Sequence, residues 1–120
     1  MRASLSTVLI YARDPQASAT FYETHFGFVA RADEDGRIIE LTHPEGGAVL
    51  MLHQAARSVK LGQVCVKLIF AVEDLEAFKA RSAALGLEFG STHQADGYAF
   101  ANAKDPDGNS ISISSRAFRR

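Results

Sequence analysis

An internal repeat constrains this chain of 120 residues more than any other feature of its sequence. In each half, an apolar strand pattern is followed by an acidic residue, a stretch with helical spacing and then a glycine. Aligned without gaps, the matching positions are residues 9–12 with 68–71, Asp14 with Glu73, Gly27 with Gly86, and Phe28 with Leu87. The repeat predicts two copies of one supersecondary unit.

Each copy carries its own signals for the start of a helix. In the first copy Asp14 is a capping residue, and Pro15 suits the first helical position, where the missing N–H costs no hydrogen bond. In the second copy either Glu73 or Asp74 can supply the cap. Helical spacing then continues to the glycine of each copy, so two helices of similar length are predicted.

Short apolar stretches between turn signals predict one strand before each helix and three after it. The predicted strands are residues 7–12, 28–32, 37–41 and 48–52 in the first copy, and residues 66–72, 88–91, 98–102 and 110–114 in the second. The fold class is therefore α+β, with two βαβββ modules forming a curved mixed sheet around an open cleft. We expect one domain over residues 1–120, with module 1 at about 1–53, a linker at 54–63 and module 2 at about 64–116.

Composition restricts the classes of partner. The net charge is -1 and like charges do not cluster, so neither nucleic acid nor a membrane surface is expected as a partner. No stretch approaches the roughly 18 apolar residues of a membrane span, and the N-terminus lacks a secretory pattern, so we expect a cytoplasmic protein.

Cys65 is the single cysteine, and its apolar neighbours favour a buried structural thiol. Arg116, Arg119 and Arg120 are expected to form a solvated tail.

Two motifs resemble a known superfamily. Residues 104–113 read Lys-Asp-Pro-Asp-Gly-Asn-Ser-Ile-Ser-Ile, a turn followed by an alternating strand, and Phe26, Gly27 and Phe28 follow a helix that contains Phe21 and Tyr22. Together with the order of the two modules, these motifs resemble the vicinal oxygen chelate superfamily, and the resemblance covers nearly the whole chain. The superfamily includes glyoxalase I, extradiol dioxygenases, and fosfomycin and bleomycin resistance proteins. The resemblance implies eight strands that curve into a cleft, commonly completed by dimerisation with exchange of modules.

Metal-dependent members of that superfamily supply ligands from four cleft positions. In this chain the four positions fall on Thr7, on Leu50 or Met51, on Lys67 or Val66, and on Ser112, where the relatives carry a Glu. Hydroxyl and apolar side chains lack the anionic oxygen that hard cations prefer, and an ammonium group repels a cation. The resemblance therefore implies a non-metal branch, with no metal and no cofactor.

Strand periodicity predicts which side chains line the cleft. The serines of residues 110–114 share one face of their strand and the isoleucines share the other, as in a strand that is buried on one side. The same parity, applied to the other strands, points these candidate ligand-binding residues into the cleft: Thr7, Leu9, Tyr11, Met51, His53, Lys67, Ile69, Tyr98, Phe100, Asn102 and Ser112. An apolar and aromatic pocket with a few hydroxyls and one cation is typical of a small-molecule site.

Lys67 allows three interpretations. As a structural residue it forms an ion pair with Glu40 or extends its ammonium group into water. As a binding residue it recognises a carboxylate, phosphate or phenolate, because burying an unpaired charge is costly. As a catalytic residue it acts as a base or forms a Schiff base.

We interpret the chain as a small-molecule-binding protein that sequesters a drug or a metabolite, as relatives in the bleomycin-resistance branch do. The near-neutral charge argues against bleomycin itself, because the proteins that bind this cationic drug are acidic. The enzyme alternative is a divalent-metal lyase, isomerase or dioxygenase with a relocated site at Glu40, His53 and His93. A closed cleft that serves only as a protein-binding surface is a third interpretation. The expected partners are an unknown small molecule and a second copy of the chain, as a homodimer.

Overall fold

The computed structural model describes residues 1–119, and the chain divides into two compact units, Met1–Leu61 and Gly62–Arg120. The first unit contains β1 (Thr7–Ala12), α1 (Pro15–Phe26), β2 (Val29–Ala32), β3 (Ile38–Thr42) and β4 (Val49–Gln54). The second contains β5 (Lys67–Ala71), α2 (Leu75–Ala84), β6 (His93–Gln94), β7 (Ala99–Lys104), β8 (Ser110–Ser114) and the 3₁₀ turn Arg116–Phe118. We call these units module 1 and module 2. The predicted α+β class with two βαβββ modules is confirmed.

The strands of each module form a four-stranded sheet of their own. The order is β1-β4-β3-β2 in module 1 and β5-β8-β7-β6 in module 2. In both sheets the first strand runs parallel to the last, and the remaining neighbours are antiparallel. The long connection that this parallel pairing needs consists of the helix and the two strands that follow it.

The helix of module 1 begins and ends where the sequence predicts. The Asp14 carboxylate accepts a hydrogen bond from the Ala17 N–H at 3.2 Å, and Pro15 is the first helical residue. Gly27 follows the helix with φ of 79°, a conformation that glycine adopts without a steric penalty. One face of α1 is buried against the sheet through Tyr22 and Phe26.

The helix of module 2 resolves the choice between two capping residues. The Asp74 carboxylate accepts from the Ala77 N–H at 3.1 Å, so Asp74 is the cap and Glu73 is not. Asp14 therefore corresponds to Asp74, one residue further along than the ungapped alignment places it. The first strands follow the same register, since Thr7 and Lys67 both begin them. The ungapped alignment is wrong at these positions, because the halves differ by one residue between the helix cap and Gly86.

The sixth strand does not lie at residues 88–91, as predicted, but at His93–Gln94. Leu87 and Phe89 are buried instead, and the Phe89 ring lies 6.3 Å from that of Phe78 on α2. The segment thus connects the helix to the sheet. The Gly90 N–H donates to the Asn102 carbonyl of β7 at 2.8 Å, and the ladder with β7 begins at His93, opposite Phe100. Apolar alternation alone does not distinguish these two roles.

Two further expectations concern the segment between the modules. Gln54, placed in the predicted linker, is the last residue of β4 and pairs with Ala12. Cys65, predicted to be buried, is exposed. Its apolar neighbours Val64 and Val66 are also exposed, so local apolar composition does not determine burial there.

Each sheet has one face buried and one face more accessible. The buried residues include Leu41 and Leu52 in module 1 and Ile111 and Ile113 in module 2, all with no exposed surface. Among residues 1–119, no helix has the length and apolar character needed to cross a membrane.

Candidate functional site

The face of the module 2 sheet opposite Ile111 and Ile113 carries the candidate site. Strand alternation assigns to this face Lys67, Ile69 and Ala71 from β5, Ser110, Ser112 and Ser114 from β8, Phe100, Asn102 and Lys104 from β7, and His93 from β6. We call it the open face of module 2. The Ser-Ile-Ser-Ile-Ser sequence of β8 explains the division, because small polar side chains alternate with large apolar ones.

A pocket of about 570 Å³ lies on this open face. It is lined by Lys67, Ile69, Ala71, Tyr98, Phe100, Ser112, Ser114, Arg116, Ala117 and Arg119. The lining combines two aromatic rings and aliphatic side chains with three cationic residues, and within residues 62–119 it contains no carboxylate. Its composition suits a ligand that is both apolar and anionic.

Lys67 is held in place by a neutral partner. Its ammonium group donates a hydrogen bond to the side-chain oxygen of Asn102 at 2.9 Å and lies 5.9 Å from the centre of the Phe100 ring. No carboxylate pairs with Lys67 within residues 62–119. An amide oxygen orients the ammonium group without neutralising its charge, so the charge stays available to a ligand.

Ser112, in contrast, already uses its hydroxyl proton. The hydroxyl donates to the backbone carbonyl of Ala101 at 3.0 Å, and the side chain is only 2% exposed. Ser112 therefore packs beneath the pocket and contributes an oxygen with free lone pairs at its floor.

The residues after β8 contribute a second group of cations. The Arg116 and Arg119 guanidinium groups lie over the Tyr98 ring, with their carbon atoms 5.8 and 5.5 Å from its centre. Arg119 also donates to the carbonyl of Asp96 at 3.3 Å. These two arginines are exposed, as expected of a tail, but they line the pocket, a role that the sequence did not reveal; Arg120 lies outside the described residues.

Ser115 explains why the chain turns back at this point. Its hydroxyl accepts from the Ala99 N–H at 3.0 Å, and its own N–H donates to the Ala99 carbonyl at 3.0 Å. These bonds tie the segment after β8 to the first residue of β7, next to Tyr98. A serine directly after a strand was the only local signal of this turn.

The remaining five candidate residues lie on the corresponding face of module 1. Leu9 is in register with Met51, and Tyr11 is in register with His53, with their rings 5.5 Å apart. Thr7 begins the same strand. Met51 is half-buried on this face, while Leu50 is 5% exposed on the other, so Met51 is the residue that faces away from the core. We call this surface the open face of module 1.

The chain matches the model of the Glyoxalase/Bleomycin resistance protein/Dioxygenase superfamily over residues 4–113. It therefore belongs to this superfamily. No curated protein shows significant sequence similarity to it.

Solved structures with the same fold include proteins of different kinds. UcmS2 is 22% identical with a TM-score of 0.79, over 96% of this chain and 99% of its own. TnmS3, an antibiotic binding protein from Streptomyces sp. CB03234, is 22% identical with a TM-score of 0.77, over 93% and 94%. A lactoylglutathione lyase from Agrobacterium tumefaciens is 21% identical with a TM-score of 0.73, over 94% and 93%. At these identities the similarity establishes the fold alone.

The resemblance predicts four side chains at the metal-ligand positions of this superfamily, and their chemistry does not suit a divalent cation. Thr7, Met51 and Ser112 offer a neutral hydroxyl or a thioether, and Lys67 offers a positive charge. Among residues 1–119, no group of three His, Cys, Asp or Glu side chains is arranged to hold a metal ion. His93, one of the residues considered for a relocated site, stacks on Phe100 with ring centres 5.1 Å apart.

Proposed function

We propose that the chain is a small-molecule-binding protein that sequesters a partly apolar acid in the pocket of module 2. The observation that carries this proposal is the lining of the pocket, in which Tyr98, Phe100 and Ile69 accompany an exposed lysine that no carboxylate neutralises within residues 62–119. Aromatic and aliphatic walls with a few oriented polar groups are characteristic of small-molecule sites.

In this proposal Lys67 holds the acidic group of the ligand. Asn102 accepts one of the three N–H bonds of the ammonium group, which leaves two donors. A carboxylate that accepts one of them forms a charge-assisted hydrogen bond, worth about 1.5–3 kcal/mol. Phe100, whose ring lies beside the same ammonium group, offers an apolar surface for the body of the ligand.

The donor set supports the further proposal that this chain belongs to a non-metal branch of the superfamily. The resemblance predicts Thr7, Met51, Lys67 and Ser112 at the metal-ligand positions, and none of these supplies an anionic ligand. Sequestration requires only that the ligand is bound, so it is compatible with side chains that hold no metal ion. Because TnmS3 is an antibiotic binding protein, antibiotics are one class of ligand to test.

The decisive experiment compares Lys67→Met with Lys104→Met, using biphenyl-4-carboxylate and biphenyl-4-carboxamide as probes. Lys104 is a matched control, because it lies on the same open face but not in the pocket lining, and it donates to Ser110 at 3.0 Å. Isothermal titration should show that Lys67→Met weakens binding of the carboxylate by about 1–3 kcal/mol. Neither variant should change binding of the carboxamide, and Lys104→Met should bind both probes like the parent.

Thermal stability separates the binding interpretation of Lys67 from the structural one. Lys67 is exposed and its hydrogen bond to Asn102 lies at the surface, so Lys67→Met should change the melting temperature little. A variant that melts earlier yet binds the carboxylate like the parent would make Lys67 a structural residue and refute the proposed role.

Native mass spectrometry with metal analysis tests the non-metal proposal. We expect no stoichiometric divalent metal in the purified protein. About one nickel, zinc, manganese or iron ion per chain, lost on mutating residues of the open faces, would contradict it.

We further propose a homodimer. Strands β1, β2, β5 and β6 are the edges of their sheets, and Leu9 is an exposed apolar residue on the first strand of module 1. Pairing of two chains would cover such edges and surfaces. Light scattering at micromolar concentration should give twice the chain mass, and a monomer would refute this proposal.

A further inference from the structure

The cations of the pocket lie on two sides of its aromatic pair. The Lys67 ammonium group is 5.9 Å from the centre of the Phe100 ring, and the two guanidinium groups are 5.8 and 5.5 Å from the centre of the Tyr98 ring. The two rings are 6.4 Å apart. Lys67 therefore contacts Phe100, the Phe100 ring neighbours the Tyr98 ring, and Tyr98 contacts the two arginines.

The strand register shows that the cations start from opposite ends of β8. Lys67 is in register with Ser110, the first residue of β8, while Arg116 follows Ser114, its last residue. Ser110 and Ser114 lie about 13 Å apart along an extended strand. The Lys67 side chain extends from its end towards Asn102, which is in register with Ser112.

The arginine end of the pocket carries two positive charges. Two guanidinium groups share the Tyr98 ring, and within residues 62–119 neither pairs with a carboxylate. The ring attracts each cation, but it does not remove the repulsion between them. An anionic group placed between them would do so, and the planar donor arrangement of arginine suits a carboxylate.

We propose that the ligand is an elongated aromatic diacid, with one acidic group at Lys67, its rings on Phe100 and Tyr98, and the other acidic group at Arg116 and Arg119. This inference rests on the proposed function and specifies the class of molecule that the pocket selects. It assigns Arg116 and Arg119 as the second anion-binding site, which the interpretation of a solvated tail did not provide.

The test adds biphenyl-4,4'-dicarboxylate to the two probes described above and uses the variant R116Q/R119Q, with K104Q as the matched control. The parent should bind the dicarboxylate about tenfold or more tightly than the monocarboxylate, because a second charge-assisted contact forms. This preference should disappear in R116Q/R119Q and persist in K104Q. K67M should still bind the monocarboxylate more tightly than the carboxamide, because the two arginines remain. In K67M/R116Q/R119Q the two probes should bind with equal affinity.

The outcomes distinguish this inference from the proposed function. Equal affinity of the parent for the two acids, or a preference that survives in R116Q/R119Q, would overturn the inference and leave the Lys67 site intact. If neither acid binds the parent, the proposed function fails and the inference fails with it. If R116Q/R119Q melts early, the single variants R116Q and R119Q replace it, and each should reduce the preference about threefold.

Discussion

Modules 1 and 2 share their sheet order and their helix cap, and they differ most on their open faces. The open face of module 1 carries Leu9, Tyr11 and Met51, with Tyr11 52% exposed. The open face of module 2 carries a row of serines, Lys67 and the rings that line the pocket. The buried faces are alike because they hold the architecture, whereas the open faces differ in the chemistry of their side chains.

The buried faces correspond position by position. Leu52 is in register with Ile10, and Ile113 is in register with Phe70, so each lies on the last strand of its module beside the first strand. Both are fully buried. On the opposite faces of the same two strands, Met51 corresponds to Ser112, and there the chemistry differs.

The helices provide a second difference between the modules. α1 buries Tyr22 and Phe26, and the Tyr22 ring also lies 6.2 Å from the Phe28 ring beyond the helix. The shorter α2 buries only Leu75 and Ser82. Module 1 thus holds its helix with large aromatic side chains, which bury more area per residue than those of α2.

The largest expected effect tests the equivalence of the buried faces. Leu52→Ala and Ile113→Ala should each lower the free energy of unfolding by about 2–5 kcal/mol, because each leaves a cavity in a fully buried site. Urea denaturation measures both, and Leu9→Ala on the open face of module 1 is the exposed control. A cost below about 1 kcal/mol for only one of the core variants would break the correspondence.

A smaller effect tests the register of the repeat. Asp14→Ala and Asp74→Ala should each cost about 0.5–2 kcal/mol, since each removes the side-chain acceptor of a helix cap. Glu73→Ala should change stability by no more than about 0.5 kcal/mol. If Glu73→Ala proved the costlier of the two substitutions in module 2, the ungapped alignment would be correct.

The smallest effect tests the difference between the open faces. Phe100→Leu should weaken binding of biphenyl-4-carboxylate by about 0.5–1.5 kcal/mol, the typical value of an aromatic pair beyond its buried area. Tyr11→Leu, the matched change on the open face of module 1, should leave this affinity unchanged. Equal losses in both variants would show that the open faces do not differ in binding, and titration calorimetry distinguishes these outcomes.

Most of the fold could be predicted from the sequence, because its signals are local. Asp14, Pro15 and Gly27 each act on the one helical turn next to them, and the alternation of serine and isoleucine in Ser110–Ser114 reports directly on the two faces of one strand. The sixth strand could not be predicted in the same way. Phe89 is compatible with a strand, and its contact with Phe78 on α2 decides its place instead.

The candidate site was predictable only in part. Strand parity placed Lys67, Phe100 and Asn102 on one face, but it could not reveal that Lys67 donates to Asn102, because these residues lie 35 positions apart and meet through the register of three strands. The alternation of side chains along a strand also gave no information about Arg116 and Arg119, because they lie beyond the last strand.

By itself, the sequence determined the α+β class, the two modules and the faces of their strands, because periodicity and capping act over a few residues. Only the tertiary structure decided that Asp74 rather than Glu73 caps α2, that Cys65 is exposed, and that two arginines after β8 reach Tyr98. The arginine contacts join segments distant in the chain, whereas the Asp74 cap is a local bond to Ala77 that the sequence left open between two neighbouring residues. A one-residue change of register would alter them while leaving each local pattern intact.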